Sequence, residues 1–290
     1  MNSKKIPLIK EYRVDKLKEC IRCIDRYAFH RDKQKECVLN LYPNNGKSLE
    51  HRDKSIFRGM IIPSLRYLGL IVGYGDSLKV SANGKLIIES QLIDKELHNR
   101  ASRAVFYELD KIIFHFIEKI IESFNLNKAE FFEDIYSSMG DISDAQKKER
   151  ANKWLSILNQ VELIKYSSQK IARNQGNLDQ TLEDIDVNLK EKEVFKSILL
   201  DSYFELSKDC AGIVEIVDLR EKVSVKMLKE YRAILTENQF DEMLRKMPFE
   251  NDDYLISLGK PMGAREKLFE YKGNYYKTLF IKTHKHEVPR

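Results

Sequence analysis

The strongest constraint in this chain is a layout that it uses three times: a group of amphipathic helical segments, then short β-like runs around a turn. In the first copy, "RVDKLKECIRCIDRYAF" places Val14, Leu17, Ile21, Ile24 and Phe29 near helical spacing, and "KQKECVLNLYP" follows as a shorter segment that stops at Pro43. After the turn "PNNGKS", "RDKSIFRGMIIPSLRYLGLI" sets Ile56, Phe57, Met60, Ile61, Leu65 and Leu68 on a helical period, and Pro63 is expected to bend that helix or mark its start. "IVGYGDSLKVSANGKLIIES" then reads as a hairpin of two short strands around Gly-Asp and Asn-Gly turn signals.

The second copy predicts one strong helix over "KELHNRASRAVFYELDKIIFHFIEKIIESF", a second over "NKAEFFEDIYSSMG" and a third over "SDAQKKERANKWLSILNQVELI". Ser143 and Gln146 stand at capping-box spacing before that third helix. "RNQGNLDQTLEDIDVNLK" reads as a polar linker over residues 173–190. The third copy comprises "KEVFKSILLDSYFEL", "VDLREKVSVKMLKEYRAI" and "TENQFDEMLRKM", then strands "DYLISL" and "YYKTLFIK" with a turn at "YKGNYY". Three helices and a β-hairpin make the winged-helix plan. The expected class is therefore mainly α (α+β), with tandem winged-helix subdomains, each a helix-turn-helix plus β-hairpin. The expected boundaries are 1–93 for an N-terminal arm and first subdomain, 94–175 for the second, and 176–290 for the linker and a third winged-helix-like subdomain.

At 290 residues the chain has room for two or three cores. It has no run of 18 or more apolar residues, and "MNSKKIPLIKEYR" lacks the apolar stretch of a signal peptide, so a cytoplasmic protein with no membrane partner is expected. Four cysteines do not make a disulfide framework in so long a chain. Cys20, Cys23 and Cys37 lie in helical segments, and Cys20-x-x-Cys23 lacks the second close pair that zinc requires, so buried thiols are expected. The net charge of +5 is unevenly spread. Residues 1–90 hold 18 Lys and Arg against 10 Asp and Glu, residues 91–175 hold 13 of each, and residues 176–290 hold 19 against 22. An anionic partner is thus expected at the N-terminal end; a merely solvated basic face is the plainer alternative.

That basic region contains a repeated tetrapeptide, His30-Arg31-Asp32-Lys33 and His51-Arg52-Asp53-Lys54. The first precedes the second helix and the other opens the third. The third helix of a winged helix enters the major groove, where Arg or Lys pairs with guanine, Asp accepts from cytosine and Gln pairs with adenine. A patch for phosphate alone needs no carboxylate and is weakened by one. The predicted DNA-binding set in the first subdomain is therefore Arg31, Asp32, Lys33, Gln34, His51, Arg52, Asp53, Lys54, Ser55 and Arg58. Asp32 and Asp53 could instead simply cap helices. The second subdomain offers Asp144, Gln146, Lys147, Lys148 and Arg150 at the corresponding place, and Lys4, Lys5, Lys10 and Arg13 could lie along a groove as an arm. Glu237, Asp241 and Glu242 at the third subdomain's equivalent helix repel phosphate, which predicts a brace or a protein contact there.

Catalytic motifs are sparse. No Gly-rich phosphate loop, nucleophile elbow or HExxH occurs. The pattern of a metal-dependent nuclease is approached only by Glu270-Tyr271-Lys272, with Asp252 and Asp253 upstream, and Lys272-Gly273-Asn274 reads as a turn. The tandem layout, with "HRDK" and "SDAQKKER" and without a complete catalytic site, resembles the N-terminal DNA-recognition domain of Type IIS restriction endonucleases. The resemblance implies recognition of a short asymmetric, G·C-rich duplex site by a monomer, with no cofactor for binding. Cleavage, and the Mg²⁺ for it, would belong to a nuclease domain outside these residues. A winged-helix transcription regulator and a protein-interaction scaffold are the alternatives, the first disfavoured by the lack of a heptad seam for a symmetric dimer.

Overall fold

The structure is a computed structural model that describes residues 9–122, 126–138, 142–167, 170–190, 192–208, 212–262 and 267–283. It is mainly helical with small sheets, as expected. The first unit contains α1 (Val14–Arg26), α2 (Arg31–Asn40) and a third helical rod. That rod begins as α3 (Leu49–Arg52), widens into a π-helix over Asp53–Ile61, and ends as α4 (Ile62–Tyr67). Pro63, in the first turn of α4, explains the widening. Its ring would clash with the carbonyl four residues back in an α-helix, and the wide turn relieves that clash. Gly59 permits the π-turn, because a Cβ there would stand 2.5 Å from the Lys54 carbonyl oxygen.

The strands β1 (Ile71–Val72) and β2 (Lys79–Val80) pair antiparallel. Their turn holds Gly73 at φ 80°, where a Cβ would meet the Ser77 carbonyl oxygen. The Asn-Gly signal at 83–84 marks no hairpin: it lies in the first turn of α5 (Ala82–Ile93), capped by Ser81, whose hydroxyl accepts from the Gly84 amide. "KLIIE" is helical for the same reason, since its apolar residues are buried around the helix rather than on one strand face.

The expected single helix from Lys95 divides. After α6 (Lys95–Leu109), a π-turn over Asp110–Phe114 ends at His115, which has φ 56°, and α7 (Phe116–Glu122) follows. Asp110 causes the break. Its buried carboxylate accepts from the Trp154 indole at 2.5 Å and from the Ile117 amide at 2.7 Å, so it anchors the new helix start to the core. Then come β3 (Leu126–Asn127), α8 (Lys128–Ser138), α9 (Asp144–Gln160), β4 (Ile164–Tyr166) and β5 (Lys170–Arg173), with sheet order β3-β5-β4. At the start of α9 the Ser143 hydroxyl accepts from the Gln146 amide, the forward half of the expected box.

The expected linker is a helix, α10 (Gln175–Lys190), which buries Leu178 and Thr181. The third unit runs α11 (Lys192–Ser207), β6 (Val214–Glu215), α12 (Ile216–Tyr231), α13 (Glu237–Lys246), β7 (Tyr254–Gly259), β8 (Phe269–Tyr271), β9 (Asn274–Tyr276) and β10 (Thr278–Thr283). Its sheet order is β6-β10-β7. Apart from the β8–β9 hairpin set between β7 and β10, the second and third units share one topology: helix, strand, helix, helix, then two strands with the last in the middle.

Two apolar clusters hold the chain together. One is continuous from Ile9 to Leu178 and includes Leu228 and Ile234; the other spans Phe195 to Ile281. The expected boundary at 93 and 94 falls at the joint of α5 and α6, inside the first cluster. Cys23 and Cys37 do not carry the expected thiols. They form a disulfide that ties α1 to α2, with Cα atoms 5.6 Å apart, while Cys20 is a buried free thiol. Packing of α2 against α1 brings together cysteines 14 positions apart, which no local spacing rule reveals. Among the described residues no helix is long and apolar enough to cross a membrane.

Candidate nucleic-acid interface

The two "HRDK" copies have different surroundings. In the first, His30 is the N-cap of α2 without a side-chain cap bond, Arg31 opens the helix, and Asp32 and Lys33 are exposed. Asp32 caps nothing and pairs with Lys35 at 2.7 Å, which holds its carboxyl below the ordinary range. Gln34 is fully buried and donates to the carbonyls of Ile24 and Leu78, so it fixes α2 to the core instead of facing a groove.

In the second copy the cap is Ser48, whose hydroxyl accepts from the His51 amide, and Asp53 sits within the rod. Arg52 is only 9% exposed. Its guanidinium donates at 2.6 and 2.9 Å to the carbonyls of Leu39, in the last turn of α2, and Tyr42, two residues past its end. The Leu39 carbonyl also accepts from the Tyr42 amide at 3.2 Å, so Arg52 adds a second bond there and supplies the donor for the Tyr42 carbonyl. A guanidinium so engaged cannot also fork onto a guanine. Asp53 pairs with Arg58 at 2.7 Å, Lys54 with Glu50 at 3.1 Å, and the Ser55 hydroxyl donates to the His51 carbonyl at 2.8 Å.

What the fold does gather is a set of arginines on aromatic rings. Arg31 lies over the Phe57 ring, 4.5 Å from its centre, and Arg66 lies over Tyr74 at 3.9 Å while donating to the Gly73 carbonyl at 2.8 Å. Partial burial lowers the pKa of Arg31, and the charges of Arg66 and Arg58 lower it further, against the attraction of Asp53 and Asp76. These side chains therefore share one electrostatic neighbourhood, built from the start of α2, the π-helix, α4 and the β1–β2 turn. Arg58 is 53% exposed and Tyr74 60%. Stacking holds an arginine's fork in place while leaving its edge donors available. Arg66 and Tyr74 were missed in the sequence; the Arg-Tyr pair and an aromatic within a glycine-bounded turn were the available signals.

The N-terminal segment is no free arm over its described part. Ile9 and Glu11 are buried, and the Lys10 and Glu11 amides both donate to the Ser64 hydroxyl at 3.1 Å. Arg13 donates to both Glu11 carboxylate oxygens, at 2.9 and 2.6 Å. Burial pushes the Glu11 carboxyl up, but bonds from Arg13 and Tyr42 outweigh it and hold the group below its ordinary range. Lys4 and Lys5 lie outside the described residues.

At the start of α9, Asp144, Gln146 and Lys148 are exposed, Lys147 stands 3.7 Å from Asp144, and Arg150 is half-buried. The matching helix of the third unit has another role. Glu237 pairs with Lys267 at 2.5 Å, and Asp241 takes both arms of Arg220 at 2.7 Å. The Glu237 amide donates to the Asn83 side chain, and the Thr236 hydroxyl donates to the buried Glu108 of α6. The start of α13 is thus packed against α5 and α6. Glu270 and Lys272 lie on the exposed β8–β9 hairpin, with Lys272 and Gly273 forming its turn. Among the described residues no group of three His, Cys, Asp or Glu could hold a metal ion.

No family, no curated protein and no solved structure matches this chain.

Proposed function

We propose that this chain binds double-stranded DNA sequence-specifically, as the target-recognition part of a Type IIS restriction endonuclease. The observation that carries the reading is the arginine cluster on the unit with the largest positive charge, with Arg31 and Arg66 seated on aromatic rings and Arg58 exposed beside them. The shared topology of the second and third units supports the winged-helix reading, because that plan places a helix, a strand, two helices and a two-stranded wing in the same order. In the first unit the β1–β2 turn would be the wing. Arg31, Arg58 and Arg66 replace Arg52 as the candidates for base or groove contact, while Lys33 and Lys54 are exposed for phosphates. Asp144, Gln146 and Lys148 give the second unit a mixed donor and acceptor set. The third unit acts as the brace.

On this reading a cytoplasmic monomer occupies a short, asymmetric, G·C-rich site without a cofactor. Cleavage and its Mg²⁺ are assigned to a separate nuclease domain. Selection from random duplex, followed by sequencing and by titration across salt, tests the proposal. A single enriched site bound by one protein, with affinity falling linearly in log salt, is the expected outcome. Equal retention of all sequences, or no retention, would refute it, and two proteins on a palindrome would favour the regulator.

A further inference from the structure

Phe29 combines two unfavourable features. It follows α1 with φ 65°, in the left-handed region where a glycine would be unstrained, and its ring is 60% exposed. The ring belongs to neither apolar cluster. Two residues later the chain reaches Arg31 and the arginine cluster. On its other side Phe29 borders a cavity of about 380 Å³ between the first and third units. Ala28, Val80 and Leu206 give that cavity apolar wall, and the ion pairs Lys79–Asp218 and Lys85–Asp25 place donors and acceptors around it.

We propose that Phe29 is a stacking platform for a nucleobase turned out of the duplex, and that the adjoining cavity receives that base. This rests on the duplex-DNA reading above. An exposed ring near a cationic cluster is what base stacking uses, and Phe29 stands just beyond the end of α1. Benzene fits a cavity of about 150 Å³, so this open cleft, whose walls also carry Glu221 and Lys222, has the volume for a purine. Its mixed charged rim suits the edge of a base, which carries both donors and acceptors.

The test uses the duplex recovered by selection, with 2-aminopurine for adenine or pyrrolo-cytosine for cytosine placed at each base pair in turn. Wild-type protein should raise the fluorescence severalfold at one position. Phe29→Gly, which relieves the backbone strain and so should not lower the melting temperature, is expected to abolish that rise and weaken binding about 5- to 150-fold. Phe29→Trp should keep the rise, and Leu206→Trp, which fills the cavity, should lose it. Tight binding with no fluorescent position, a rise that survives Phe29→Gly, or unchanged affinity in Phe29→Gly would overturn the platform while leaving duplex recognition intact. The last result is also what an apolar protein side chain as the true occupant would give. Failure of the wild type to bind any duplex would overturn both.

Discussion

Replacing Glu108 with Gln should remove a pH dependence of stability that the native chain has built into the joint between its units. Glu108 lies on α6 and is 5% exposed, and it accepts from the Thr236 hydroxyl at the cap of α13. Burial raises its pKa from the ordinary 4.5 to about 7, with the Thr236 bond opposing and the charge of Glu242 adding to the rise. The folded state therefore holds a proton that the unfolded chain releases near pH 4.5. The stability this contributes is fully present below pH 4.5 and is lost as pH rises through about 7. Each pH unit between those values costs about 1.4 kcal/mol, so the loss over the window is about 3 kcal/mol. Glutamine has nearly the same shape and cannot ionise, so the variant lacks this term. Trp154, the only tryptophan, is buried and bonded to Asp110, which makes its fluorescence a direct reporter of unfolding. Urea titrations from pH 4.5 to 8 should show native and Glu108→Gln stabilities diverging by about 3 kcal/mol toward high pH. Parallel curves would refute the argument. Asp110, also raised by burial to about 7, is common to both proteins and cancels in the difference.

Other perturbations separate fold from function. Arg52→Ala should cost about 1 to 3 kcal/mol, since it strands the Tyr42 carbonyl, with binding reduced only through the lost folded fraction; changed base preference in the folded variant would contradict this. Arg58→Ala should instead leave the melting temperature near native and weaken the selected duplex by about 1 to 3 kcal/mol, read by titration on matched and mismatched sites. Gly59→Ala, which in an ordinary helix stabilises, should destabilise here because its Cβ meets the Lys54 carbonyl; calorimetry giving a higher melting temperature would remove the account of the π-turn. Reducing the Cys23–Cys37 bridge should lower stability by about 3 kcal/mol through a loop of this length, with mass spectrometry of alkylated protein reporting the thiols.

The helices with one apolar face were legible in the sequence because their periodicity is local. Val14, Leu17, Ile21 and Ile24 in α1 are buried where the spacing put them, and α9 and α13 form over segments read as helical. The carboxylates at the start of α13 were legible too, and Glu237 and Asp241 pair with Lys267 and Arg220. The mainly helical class follows from the same local patterns. Wherever the outcome depended on a distant partner, the sequence was silent. Residues 173–190 look like a linker because few of their side chains are apolar, yet Leu178 and Thr181 need only the surface of the first core to become helical. Asn83-Gly84 is a turn signal in isolation and a helix start once Ser81 caps it. Asp110 breaks a helix only because an indole 44 residues later donates to it. The two "HRDK" copies are equal as text, but the carbonyls at the end of α2 claim Arg52 and leave Arg31 to lie on Phe57. Local sequence set which residues could carry charge to a surface; packing across the chain decided which of them stay there, because a buried carbonyl without a partner costs more than a solvated guanidinium gains.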